Sequence, residues 1–140
     1  MKIALTTLLC FFCLATFSGA RADMQLEISM KHITRAYKQL LLDLKQPQDA
    51  NKADYVALAT TMKTEAQTAR GLVPQKAANL YPESRDAMVK GYQKSMDDFS
   101  QAIDVLIENL QAGQWDAANK QLATLRMEED DGHKAFRKKD

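Results

Sequence analysis

Apolar residues recur along the chain at alternating steps of three and four, the spacing that holds side chains on one face of an α-helix. Leu26, Met30, Ile33, Tyr37, Leu40 and Leu44 form the first such stripe. Pro47 ends it, because a proline drives the residue before it, Gln46, out of the helical region. The polar run 47–51 reads as a turn, and Asn51, with Asp54 three residues on, reads as an N-cap with an acidic first turn. Tyr55, Leu58, Met62, Ala66, Ala69 and Val73 mark a second helix, closed by Gly71 and Pro74 and lined by small residues in its second half. Val73 to Tyr81 is the longest connection, and Pro82 suits the first turn of a third helix. Met88, Tyr92, Met96, Phe99, Ile103, Leu106 and Leu110 make that helix's stripe, which ends at Gly113. The fourth runs through Trp115, Ala118, Leu122 and Leu125, then meets Glu129, His133 and Phe136.

Four amphipathic helices joined by three short connections predict an all-α fold, an antiparallel up-down-up-down four-helix bundle with small crossing angles. The one local conflict lies at Glu128 to Asp131, followed by Gly132. A stop at Gly132 would crowd four acidic side chains at the negative end of the helix dipole. Continuation pairs Asp130 with Lys134 and places Lys134, Arg137, Lys138 and Lys139 in the last turns, where cations are favoured. The helix is therefore expected to run through His133.

Residues 1–22 stand apart from this pattern. Lys2 gives a short positive start, Ile3 to Phe17 is nearly unbroken apolar sequence, and Ser18-Gly19-Ala20-Arg21-Ala22 ends in the small-x-small pattern of a signal-peptidase site. Cleavage is expected after Ala22, which makes 1–22 a signal peptide and 23–140 the single folded domain. The apolar stretch is short for a membrane span, and Cys10, with Thr7, Leu8 and Leu9 before it, lacks the small neighbour of a lipoprotein signal. Removal takes Cys10 and Cys13, and it takes Lys2 and Arg21 with no acidic residue, so the formal charge moves from +1 to −1. An exported chain without cysteine has no disulfide, thiolate metal site or Cys-x-x-Cys-His haem attachment. The near-neutral charge gives no field for nucleic acid. With 46% hydrophobic and 26% charged residues, the composition is that of an ordinary globular chain.

Few residues offer chemistry. His32 and His133 are the only histidines, and no zinc, nucleophile-elbow or phosphate-loop motif is present. His32 lies two residues, about 200°, round the helix from Met30, which places it among exposed polar positions. His133 follows Trp115 by 18 residues, five full turns, and so returns to the buried stripe. Met30 stands seven residues after the expected mature N-terminus and His133 seven before Asp140, so the bundle topology brings thioether and imidazole to one end on inward faces. Met62, Ala66, Ala69, Val73, Met88, Tyr92 and Met96 are expected at the same end. Alanines opposite large methionines would leave a flat apolar slot there. A haem needs such a slot, two axial ligands across it and an open edge for its propionates, which Lys134, Arg137 and the basic tail would meet. Core filling by Met62, Met88 and Met96 is an alternative use of the same side chains. Trp115, at the far end, reads as a bundle cap.

At these residues the chain resembles the cytochrome b562 family of exported four-helix bundles. Leu26-Glu27-Ile28-Ser29-Met30 is similar to that family's opening segment, and Gly132-His133-Lys134-Ala135-Phe136-Arg137 to its terminal histidine segment. The resemblance spans essentially all of 23–140. It implies one non-covalent haem b per chain, held by Met30 and His133 as axial ligands, with Met62, Tyr92 and Met96 near the pocket lining. Glu129 departs from the best-known member, which has arginine one turn before the histidine, and the region of helices one and two is longer. The resulting expectation is a monomeric periplasmic electron carrier that is not an enzyme, exchanges electrons with unidentified redox proteins, and touches neither nucleic acid nor, after cleavage, membrane. A haem-free helical bundle acting as a binding or chaperone-like module is the alternative. A metal-sequestering module using His32 and the methionines is the third.

Overall fold

The computed structural model describes residues 17–138. Most of the expected signal peptide, including Cys10 and Cys13, lies outside the described residues. Four α-helices follow in order: α1 (Phe17–Asp43), α2 (Lys52–Arg70), α3 (Pro82–Gln111) and α4 (Trp115–Phe136). Short 3₁₀ turns at Asp49–Asn51 and Gln75–Ala77 sit in the first two connections. No strand occurs among the described residues.

The helices alternate in direction. Arg70 on α2 pairs with Asp97 on α3 while Lys63 pairs with Asp104, so rising numbers on one helix meet falling numbers on the next. Across α1 and α4 the same inversion holds, since Tyr37 Oη donates to the Leu122 carbonyl and Asn119 to that of Leu44. Each helix packs along its sequence neighbours, whereas α1 and α4 scarcely meet. Leu40, Met62, Ile103, Leu106, Leu110, Leu122 and Leu125 are fully buried at the centre. Removing each from water contributes about 1.5–3 kcal/mol relative to an exposed position.

The boundaries follow local chemistry with two corrections. Pro82 opens α3, as its fixed φ favours, and Gly113 at φ 67° closes the same helix. Gly113 N–H donates to Leu110 and Gln114 N–H to Asn109, which satisfies two end carbonyls through a left-handed residue that glycine adopts without strain. Asn51 does occupy the N-cap of α2, but its side chain makes no capping bond, because the preceding 3₁₀ turn sets the approach. Helix α4 runs past Gly132 to Phe136 as the charge argument required. However, Asp130 pairs with Arg126 one turn before it, and Lys134 with Asp131.

Candidate functional site

The gap between α1 and α4 is a cleft of about 880 Å³ at the end of the bundle where α1 starts its buried stripe and α4 finishes. Its volume lies toward the upper end of the roughly 300–1,000 Å³ typical of small-molecule sites, large enough for a macrocycle. Met30 and Leu26 face it from α1 and His133 and Phe136 from α4. Buried Tyr92, Met96 and Phe99 of α3 form its floor, and Pro74 and Gln75 of the longest connection close one end. The three-and-four stripe explains each position: Leu26 and Met30 are one turn apart, and Phe136 follows His133 by three residues.

Several contacts fix the wall that carries His133. Phe136 meets the Tyr92 ring edge-on, with centroids 5.4 Å apart and planes at 74°, a favoured geometry for aromatic pairs. The Tyr92 hydroxyl in turn donates to the Ala69 carbonyl at 2.8 Å, tying the floor to α2. Burial pushes the Tyr92 phenol far above its usual range, so it stays a neutral donor. Lys76 donates to the Lys134 carbonyl and pins the last turn of α4 to the α2–α3 connection. Among the described residues, no hydrogen bond or ion pair engages the His133 ring, which is half-buried.

Acidic groups shape the α4 side. Glu129 accepts from Thr34 across the cleft and lies 3.6 Å from Arg126. Glu128 has its Oε2 buried without a partner. Burial raises the Glu128 carboxyl above its usual range, and the nearby Asp98 charge adds to the effect.

Met30, Tyr92, Met96 and His133 are thus brought together as the sequence suggested. Met62 is not: it is fully buried in the core and lies outside the cleft lining. The expected slot at Ala66 and Ala69 is closed as well, both residues being completely buried. Small side chains let α2 and its neighbours approach until the space vanishes, so the opening falls instead between α1 and α4, the neighbouring helices that no loop joins. Sequence reasoning left Leu26, Phe99 and Phe136 in the general core, although their places on the stripes beside Met30, Met96 and His133 were the available signal. Trp115 caps the far end, edge-on to Tyr55 and beneath the Lys52 ammonium.

His32 points away from the cleft, and its Nδ1 lies 2.7 Å from Glu65 Oε1 on α2. The hydrogen bond from His32 holds the Glu65 carboxyl below its usual 4.5. A carboxylate whose folded value is depressed stabilises the fold above its unfolded value, and the gain disappears as pH falls through the folded value. Wild type should therefore exceed Glu65→Gln by about 0.5 kcal/mol at neutral pH, the scale of a partly exposed pair. Urea titrations at pH 7 and at successively lower pH check this, because the two proteins should converge as the pH falls through the folded value.

The cleft thus offers a soft sulfur, an imidazole and an aromatic floor within one macrocycle-sized space. A family model described as Cytochrome b562 matches residues 25–137. The chain belongs to the cytochrome b562 family. Membership gives the coarse class of the protein, that of a haem-binding cytochrome, on a helical bundle consistent with the one observed. No curated protein matches the chain. The donor set suits a haem: a thioether and an imidazole are established axial groups, and the lining is apolar where a macrocycle would rest. Among the described residues, no three His, Cys, Asp or Glu side chains cluster as a metal site. No described helix is long and apolar enough to cross a membrane.

Proposed function

We propose that the protein is a periplasmic electron carrier, exported with loss of residues 1–22, that binds one haem b non-covalently between Met30 and His133. The observation that carries this reading is the placement of those two side chains in one cleft of about 880 Å³, on helices that scarcely meet. Bound haem supplies reversible one-electron exchange at iron. The chain's own residues do the rest. Met30 and His133 provide the donor atoms, and a thioether in place of a second imidazole favours the reduced metal. Phe99, Met96, Tyr92 and Phe136 cover the floor and exclude water, while the open side between α1 and α4 leaves an edge accessible to a redox protein. The reading assigns no substrate chemistry to the site and takes the carrier as a monomer.

Periplasmic expression followed by a reduced-minus-oxidised spectrum tests it. A sharp Soret and α band is the expected result. A colourless protein that takes up no added haem would overturn the reading in favour of a haem-free binding module.

Because residues 23–140 contain no cysteine, nothing in them forms a thioether bond to a vinyl group. Acid acetone should extract the pigment completely. The stripped protein should melt roughly 10 °C lower, since ligand linkage and the apolar contacts in the cleft are lost together. Pigment that stays with the precipitated protein would contradict non-covalent binding.

A further inference from the structure

The charges lining the cleft are unevenly compensated, and an inference that rests on the haem reading follows from them. Four cations line it: Lys31, Arg35 and Lys38 on α1, and Arg137 just past α4. Lys31 Nζ sits 2.6 Å from Glu27 Oε1, and Arg137 also acts on that carboxylate, so these two cations share one anion. Arg35 and Lys38 are exposed, and no ion pair among the described residues engages either. They stand three residues apart, neighbours along one helix face. The opposite wall is anionic, carrying Glu128 and Glu129, the latter already held by Thr34 and Arg126. A ligand bearing carboxylates is repelled from the α4 wall and drawn to the α1 lip.

We propose that Arg35 and Lys38 receive the two propionate carboxylates of the haem, so that the acid edge of the macrocycle lies along α1 and not at the basic C-terminal tail. Arg35 offers a planar fork of donors that matches a carboxylate, and Lys38 a mobile point charge that reaches a second one. This assigns to α1 the electrostatic task that the sequence pattern alone pointed to in Lys134 and Arg137. It also gives the site a preference among porphyrins that its apolar floor cannot supply.

Titration of the apoprotein with iron(III) protoporphyrin IX and with its dimethyl ester, read at the Soret band, tests the assignment. The wild type should prefer the diacid about tenfold, the order expected for two solvent-accessible charge pairs. The double variant Arg35→Gln/Lys38→Gln should lose that preference while binding the ester as wild type does, which also reports an intact fold. The triple variant Lys134→Gln/Arg137→Gln/Lys138→Gln should keep it. A wild type without the preference, a double variant that retains it or loses the ester too, or a triple variant that alone loses it overturns the assignment. Failure of wild type to bind either porphyrin would instead remove the haem reading itself, and this assignment with it.

Discussion

Replacing His133 with alanine is expected to abolish haem uptake or weaken it by more than about a hundredfold. Changing groups that merely orient a metal ligand typically costs 10–100-fold in affinity, so loss of the nitrogen donor itself must exceed that range. No other imidazole lines the cleft. His32, the other histidine, faces out of the cleft and is bound to Glu65 on α2. The fold should survive, because the His133 ring is only half-buried and makes no hydrogen bond among the described residues that would be broken. Circular dichroism should therefore be unchanged while the Soret titration flattens. His32→Ala is the matched control and should leave the spectrum as it is. If His32→Ala bleaches the protein while His133→Ala keeps a low-spin spectrum, the proposed ligand pair is wrong.

Met30→Ala should have the second largest effect, and of a different kind. The cleft floor and His133 remain, so haem should still bind, now five-coordinate or with water in place of sulfur. A thioether favours reduced iron, and water or hydroxide favours oxidised iron, so the midpoint potential should fall and the low-spin reduced spectrum should disappear. Because Met30 is half-buried and borders an open cleft, its truncation should destabilise the protein by only about 1–2 kcal/mol, below the 2–5 kcal/mol of a closed core position. Potentiometry and a ferrous spectrum of the variant check both parts. A low-spin reduced spectrum at an unchanged potential would show that another residue supplies the sixth ligand.

Much of this site was legible in the one-dimensional pattern, for a definite reason. The three-and-four stripes place Leu26, Met30, Ile33 and Tyr37 on one face whatever the helix packs against, and Leu26, Ile33 and Tyr37 are indeed buried. The same arithmetic carried His133 back to the Trp115 face five turns later. Short connections then forced neighbouring helices antiparallel, which set the beginning of the α1 stripe and the end of α4 on either side of one cleft. Charge at the helix end correctly argued that α4 continues through Gly132. It misassigned the partner of Asp130, because Arg126 and Lys134 stand equally one turn away and a pattern cannot choose between them.

What the chain alone determined, then, was which residues face inward, where the helices stop and which ends meet, because these depend on local periodicity, backbone restrictions and loop length. What only the tertiary structure decided was where space remains. Ala66 and Ala69 read as a slot in isolation, yet small side chains draw helices together and close it. Met62 was sealed into the core by the same approach. The cleft opened between α1 and α4, the neighbouring pair that no loop joins and that scarcely touches. Cavity volume is a difference between packed surfaces, and it exists only once all four helices have settled against one another.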